Sequence, residues 1–133
     1  MTPFCFKSRL HYWKVLLFCF NFVLSLLFVA PPGSPLITGP AVIKNGDSVM
    51  IRCSSTGGDP TPTVKWLRDD VVFDDTSTTS GGVTVNEYTF TASPAEHLEV
   101  FECQVDNGVL QNPLTSTLFV IVNSRYYWFI CSI

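Results

Sequence analysis

The chain has 133 residues, enough for one domain of ordinary size. Residues 34–122 carry all eleven acids against four bases (Lys44, Arg52, Lys65 and Arg68), a net charge of −7. A domain that grips phosphates needs a basic face, so this composition excludes a nucleic-acid partner.

The start of the chain is different. Residues 1–33 hold Lys7, Arg9 and Lys14 and no acid, and "VLLFCFNFVLSLLFVA" (15–30) is broken only by Asn21 and Ser25. A charged start, an apolar middle and an exit through prolines is the order of a secretory signal. Sixteen residues is short for a membrane helix, which needs about 20. The cleavage signal is poor, because Ala30 is small but Phe28 is large. Residues 1–30 are therefore expected to form an apolar helix serving as a signal peptide or a retained signal anchor, and both place residues 34–122 outside the cell. A third reading stays open, in which residues 1–30 replace a lost upstream domain and the chain is a fragment of a longer receptor. In that case the helix stands apart from the body.

"PPGSPLITGP" (31–40) reads as a linker, 31–35, running into an edge strand. Short β-branched and aromatic segments follow. In "SVMIRCS" (48–54), Val49, Ile51 and Cys53 share a face; in "TVKWLR" (63–68), Val64 and Trp66 do. "VVF" (71–73) follows an Asp69-Asp70 turn, and "TSTTSGG" (76–82) is too small and polar to be more than a loop or weak edge. "EYTFTA" (87–92) groups Tyr88, Phe90 and Ala92, and "VFECQVD" (100–106) groups Phe101, Cys103 and Val105. Asn107-Gly108 signals a hairpin. "STLFVIV" (116–122) closes the sheet, with Leu118, Val120 and Val122 inward and Phe119 and Ile121 outward. No body segment has a helical period. About seven short strands with regular turns indicate an all-β antiparallel sandwich, here over residues 36–122. The remaining stretch, 123–133, is an aromatic, apolar tail.

Five cysteines are present: Cys5 and Cys19 in the leader, Cys53 and Cys103 in the body, Cys131 in the tail. An oxidising compartment permits a Cys53–Cys103 disulfide, which leaves Cys131 without a partner in the body. Cys53, Trp66 and Cys103 all fall on inward faces, and this set resembles an immunoglobulin-like domain of I-set or C2 type. The resemblance implies a disulfide joining two sheets, with the Trp66 indole packed on it. "GDPTPTVKW" resembles the loop and strand entry of such domains; a phosphate loop would need a glycine–lysine pair opening a helix. The "PPGSPLITG" joint and "YTFTASPAEHLEVFEC" resemble domains of the nephrin, irregular-chiasm and hemicentin type of cell-adhesion protein. One departure is Phe101, two places before Cys103, where the family carries a tyrosine whose hydroxyl makes a corner hydrogen bond.

Other chemistry is thinly signalled. Asp69, Asp70, Asp74 and Asp75 match no calcium-loop spacing and read as a turn plus a solvated loop. His97, the one histidine of the body, has no second ligand placed by a motif and reads as a loop residue. No nucleophile elbow or fixed carboxylate pair occurs, so the chain reads as non-enzymatic, without metal or cofactor. N-x-S/T glycan acceptors are absent from the sequence. Lys65, Leu67, Glu102 and Gln104 point outward on the two central strands and are the candidate binding face, one that such adhesion domains often use to bind each other. The expected partner is another protein, a second copy or another immunoglobulin-family receptor, with membrane contact only through residues 1–30 or the tail. Beside cell adhesion stand two alternatives: a structural spacer in an extracellular array, and a secreted immune receptor or decoy.

Overall fold

The computed structural model describes residues 13–18 and 28–123. Residues 13–18 are helical, and no helix among the described residues is long and apolar enough to cross a membrane. Residues 1–12, 19–27 and 124–133, Cys131 among them, lie outside the described residues, and with them most of the expected signal or anchor helix and of the expected tail.

Ten strands follow: β1 (Leu36–Thr38), β2 (Val42–Lys44), β3 (Ser48–Thr56), β4 (Thr63–Arg68), β5 (Val71–Asp74), β6 (Thr78–Ser80), β7 (Val83–Thr91), β8 (Val100–Asp106), β9 (Leu114–Phe119) and β10 (Ile121–Asn123). One four-stranded sheet has the order β1-β3-β7-β6 and a second β5-β4-β8-β9, while β10 pairs with β2. The two large sheets are antiparallel throughout, and β10–β2 is parallel. This is the expected sandwich. Alternation along β3, β4 and β8 delivers Val49, Ile51, Cys53, Val64, Trp66, Phe101, Cys103 and Val105 to one buried core.

The tight turns are chemically legible. Asp69 and Asp70 both take positive φ (50° and 61°) between the paired residues Arg68 and Val71, so they form the expected two-residue hairpin. Gly81 and Gly82 (φ 57° and 76°) do the same between Ser80 and Val83 and turn "TSTTSGG" into the edge strand β6.

Several expectations are corrected. β7 starts at Val83, four residues before the expected strand, because its inward positions Thr84 and Asn86 are polar yet fully buried. Their polarity is satisfied internally: Thr84 Oγ1 lies 2.8 Å from Thr79 Oγ1, and Asn86 Nδ2 donates to the Val64 carbonyl at 3.1 Å. A 3₁₀ turn, Pro94–Glu96, escaped a search for helical period because it is one turn long; a capping box marks it, with Ser93 as N-cap and Glu96 closing back. Asn107-Gly108 is not a two-residue hairpin: Val105 pairs with Leu114, so a longer loop intervenes, and Gly108 (φ 74°) donates its N–H to Asp106 Oδ1. The last strand breaks at Val120 and changes partner, β9 pairing with β8 and β10 with β2. Its register holds as expected, with Val120 and Val122 buried and Phe119 exposed.

The approach to the sandwich is held by hydrogen bonds to it. Ala30 exchanges two backbone hydrogen bonds with Asp59, and Gly33 N–H donates to the Thr56 carbonyl at 2.8 Å. Ser55 Oγ donates to the Gly33 carbonyl at 2.7 Å, and Asn107 Nδ2 donates to the carbonyls of Ala30 (2.8 Å) and Pro60 (2.9 Å). A side chain at Gly58, where φ is +94°, would meet Pro32 and Pro62 at 3.2 Å and Asn107 at 3.3 Å, so glycine permits this close approach.

Candidate functional site

The disulfide links Cys53 of β3 to Cys103 of β8 across a Cα separation of 6.3 Å and so joins the two large sheets. Trp66 stands opposite Cys103 in the β4–β8 register and is fully buried. Its Nε1 has no hydrogen-bond partner among the described residues, so the indole acts here through volume. The three residues singled out as cysteine–tryptophan–cysteine are therefore one buried unit that locks the sheets face to face.

The opposite face of the β5-β4-β8-β9 sheet is open. Because Trp66 and Cys103 point inward as a pair, Lys65 on β4 and Glu102 and Gln104 on β8 point outward. Lys65 pairs with Gln104 and Leu67 with Glu102. Lys65, Glu102 and Gln104 are half-buried. Leu67 departs from expectation: it is only 6% exposed, beside Val72 of β5, and a register shift between Trp66 and Leu67 accompanies this. It underlies the face and does not display itself. The apolar surface comes from Phe119, which alternation had placed outward, and from Val72 and Val100, which the sequence reading passed over. Val72 opposite Leu67, and Val100 opposite Phe119, are exposed on this side.

A second feature lies at one end of the sandwich, beneath Phe101. The Phe101 ring is fully buried, stacked on Phe90 (centroids 5.3 Å) and edge-on to Phe73 (6.0 Å), which is edge-on to Tyr88 (4.8 Å). The Arg68 guanidinium lies 4.8 Å from the Phe101 centroid and 5.5 Å from that of Phe73, and its Nε faces Glu99 at 3.6 Å. Where the resemblance led to a tyrosine hydroxyl, this chain has an aromatic box capped by a cation. A cleft of about 330 Å³ opens beside it, lined by Arg68, Asp69, Val71, Phe73 and Tyr88. The sequence signal was available: Arg68 continues the inward alternation of Val64 and Trp66.

The acids and the histidine have local roles. Asp74 Oδ1 accepts from the N–H and hydroxyl of Thr76. Burial opposes its ionisation, but those hydrogen bonds outweigh burial and hold the carboxyl below its ordinary range. Glu96 behaves alike: burial raises its pKa, and the Ser93 hydroxyl and N–H, with the charge of Arg68, lower it further than burial lifts it. His97 Nδ1 accepts the Val122 N–H at 3.2 Å and so ties the 3₁₀ turn to β10. Among the described residues, no three His, Cys, Asp or Glu side chains are grouped to hold a metal.

Comparison with known proteins agrees with this geometry. Residues 33–113 match the model of the CD80-like C2-set immunoglobulin domain. Over 104 residues the chain is 27% identical to mouse MAM domain-containing glycosylphosphatidylinositol anchor protein 2, covering 78% of this chain and 10% of that protein. Over 98 residues it is 29% identical to human nephrin, covering 67% of this chain and 8% of nephrin. The chain thus spans about a tenth of the length of the curated relatives it matches. Among solved structures, Rst D1–D2 superimposes with a TM-score of 0.63 at 23% identity, covering 71% of this chain and 51% of the other. The mouse nectin-like molecule 4 ectodomain gives a TM-score of 0.59 at 15% identity, covering 71% and 35%. With more than half its residues matched by the family model, and with the sheet-bridging disulfide and its tryptophan in place, the chain belongs to the CD80-like C2-set immunoglobulin domain family.

Proposed function

We propose that residues 36–122 are an extracellular, non-enzymatic protein–protein recognition module working in cell adhesion of the nephrin type. The single observation that carries this reading is the open face of the β5-β4-β8-β9 sheet. There, exposed Val72 on edge strand β5 and Val100 and Phe119 at the β8–β9 end flank the half-buried polar Lys65, Glu102 and Gln104 of the two central strands, so one open sheet face offers both apolar and polar contacts. Two further facts support it. The matched family is an immunoglobulin-domain family, and the relatives include nephrin and a protein named for its glycosylphosphatidylinositol anchor. In this reading residues 1–30 are a signal peptide or signal anchor, residues 123–133 are an apolar tail, and the chain acts at the cell surface or after secretion. Its partner is a second copy or another immunoglobulin-family receptor.

A cell-aggregation assay tests the reading. Cells displaying the chain should cluster with each other, or with cells displaying the partner. The Phe119→Asp, Glu102→Arg double variant should abolish clustering. Met50→Asp, an exposed position on the outer face of the other sheet, should leave it intact. Equal effects from both variants, or none from either, would refute the assignment of the face.

One observation favours the spacer reading. Asn107, Ser55 and Thr56 bind the approach segment 30–33 to the sandwich, and a bead in an extended array needs such a fixed entry angle.

A further inference from the structure

β5 is the edge strand of its sheet, and no described strand pairs with its outer side. Its residues are Val71, Val72, Phe73 and Asp74, and the first three are 66%, 44% and 36% exposed. The Asp74 carbonyl is approached by Asn86 Nδ2 at 3.5 Å, which leaves residues 71–73 as the free part of the edge. Sheet edges are ordinarily protected by charge, proline, a bulge or a cover. This apolar run has no charge or proline within it; its one irregularity is the bulge at Phe73, between the pairs Trp66–Asp74 and Leu67–Val72, so Val71 and Val72 before it are the regular part of the edge. Charge stands only at its ends, and all of it is acidic: Asp69 and Asp70 before, Asp74 and Asp75 after. The neighbouring cation Arg68 is already committed to Glu99 and to two aromatic faces.

The cleft of about 330 Å³ lies against this same strand. Val71 and Phe73 of the edge line it together with Tyr88, Arg68 and Asp69. When a strand is added to a sheet edge, main-chain hydrogen bonds supply attachment and pockets for alternate side chains supply selectivity. Here an unpaired apolar edge and an apolar pocket under its alternate residues occur together.

We propose that the β5 edge, residues 71–73, docks an extended segment of a different protein, apolar at its centre and flanked by Lys or Arg, with one side chain seated between Val71, Phe73 and Tyr88. Charge selects this occupant over a second copy. Antiparallel pairing of β5 with itself sets Asp70 opposite the partner's Asp75, and like charges directly opposite are destabilising. A basic-flanked strand meets acids at both ends instead. The proposal shares only Val72 with the open-face reading above and does not rest on it, since Val71, Phe73 and the cleft lie outside that face.

The test uses the isotope-labelled chain and two synthetic peptides, Lys-Thr-Val-Thr-Val-Thr-Lys and Glu-Thr-Val-Thr-Val-Thr-Glu. The lysine peptide should shift the amides of Val71–Asp74 and bind at least about tenfold tighter than the glutamate peptide at low salt, where exposed charges are least screened. Val71→Lys should weaken it about tenfold or more with the melting temperature unchanged, because Val71 is two-thirds exposed. Asp70→Asn with Asp75→Asn removes half of the flanking acids and should cut the preference between the peptides several-fold, and asparagine tolerates the positive φ at position 70. Equal binding of the two peptides, shifts confined to Lys65, Glu102 and Gln104, or no binding at millimolar peptide would each overturn the proposal. A concentration-dependent dimer abolished by Val71→Lys would overturn the choice of occupant.

Discussion

Replacing Phe101 asks what holds the lower end of the sandwich in place of a tyrosine corner. Phe101 is fully buried, stacks on Phe90, meets Phe73 edge-on and supports the Arg68 guanidinium. Phe→Ala in a core costs about 3–5 kcal/mol, which rivals the whole stability of a small domain of about 5–15 kcal/mol. The aromatic pairs contribute about 0.5–1.5 kcal/mol each beyond area, and the cation over the ring about 0.5–2 kcal/mol. The Arg68–Glu99 pair adds at most about 1 kcal/mol, because both side chains are close to a third exposed. Phe101→Leu keeps most of the volume and removes the ring, so it should cost about 2 kcal/mol while the protein stays folded. The assay is urea unfolding of the oxidised chain for Phe101→Leu, Arg68→Ala and the double variant. If the box works as described, the two changes couple by about 1 kcal/mol, since each removes the other's partner. Strict additivity, or a Phe101→Leu cost below about 0.5 kcal/mol, would refute the idea that this box stands in for the missing hydroxyl.

Replacing Cys53 and Cys103 together by alanine should lower stability by about 4 kcal/mol, the loop-closure value for a separation of 50 residues, measured by thermal unfolding against the oxidised parent. Val120→Asp should prevent folding or cost more than about 3 kcal/mol, whereas Phe119→Asp should stay within about 1 kcal/mol of wild type; a reversed order in circular-dichroism melts would mean that the last strand faces the other way. Because the Glu96 carboxyl is lowered in the folded state, its contribution is complete above the unfolded value near 4.5 and is lost as pH falls through the folded value. Glu96→Gln should therefore flatten the decline of stability below pH 4.5, and an unchanged acid limb would show that the Ser93–Glu96 capping box carries no such linkage.

Period-two alternation was enough to read β3, β4 and β8 from sequence, because one face of each is apolar and buried and a one-residue slip would expose all of it. The same alternation placed Cys53, Trp66 and Cys103 on inward faces, and with them the disulfide and the class of fold. Composition alone argued against a nucleic-acid partner. Contacts between residues far apart in sequence decided the rest. Thr84 and Asn86 lie outside the strand read from sequence, and their burial depends on hydrogen bonds to Thr79 and Val64. Leu67 alternates outward, yet it is covered beside Val72 because the β4–β5 register shifts there. Residues 31–35 read as a linker because proline and glycine report only local freedom; Asn107, 77 residues beyond Ala30, and Thr56 are what fasten the approach at Ala30 and Gly33. The change of partner at Val120, the cation over Phe101 and the cleft beside β5 likewise exist only once the two sheets are stacked. Side-chain pattern reports which way a residue faces, while what lies opposite that face depends on long-range closure, which no local window of the chain contains.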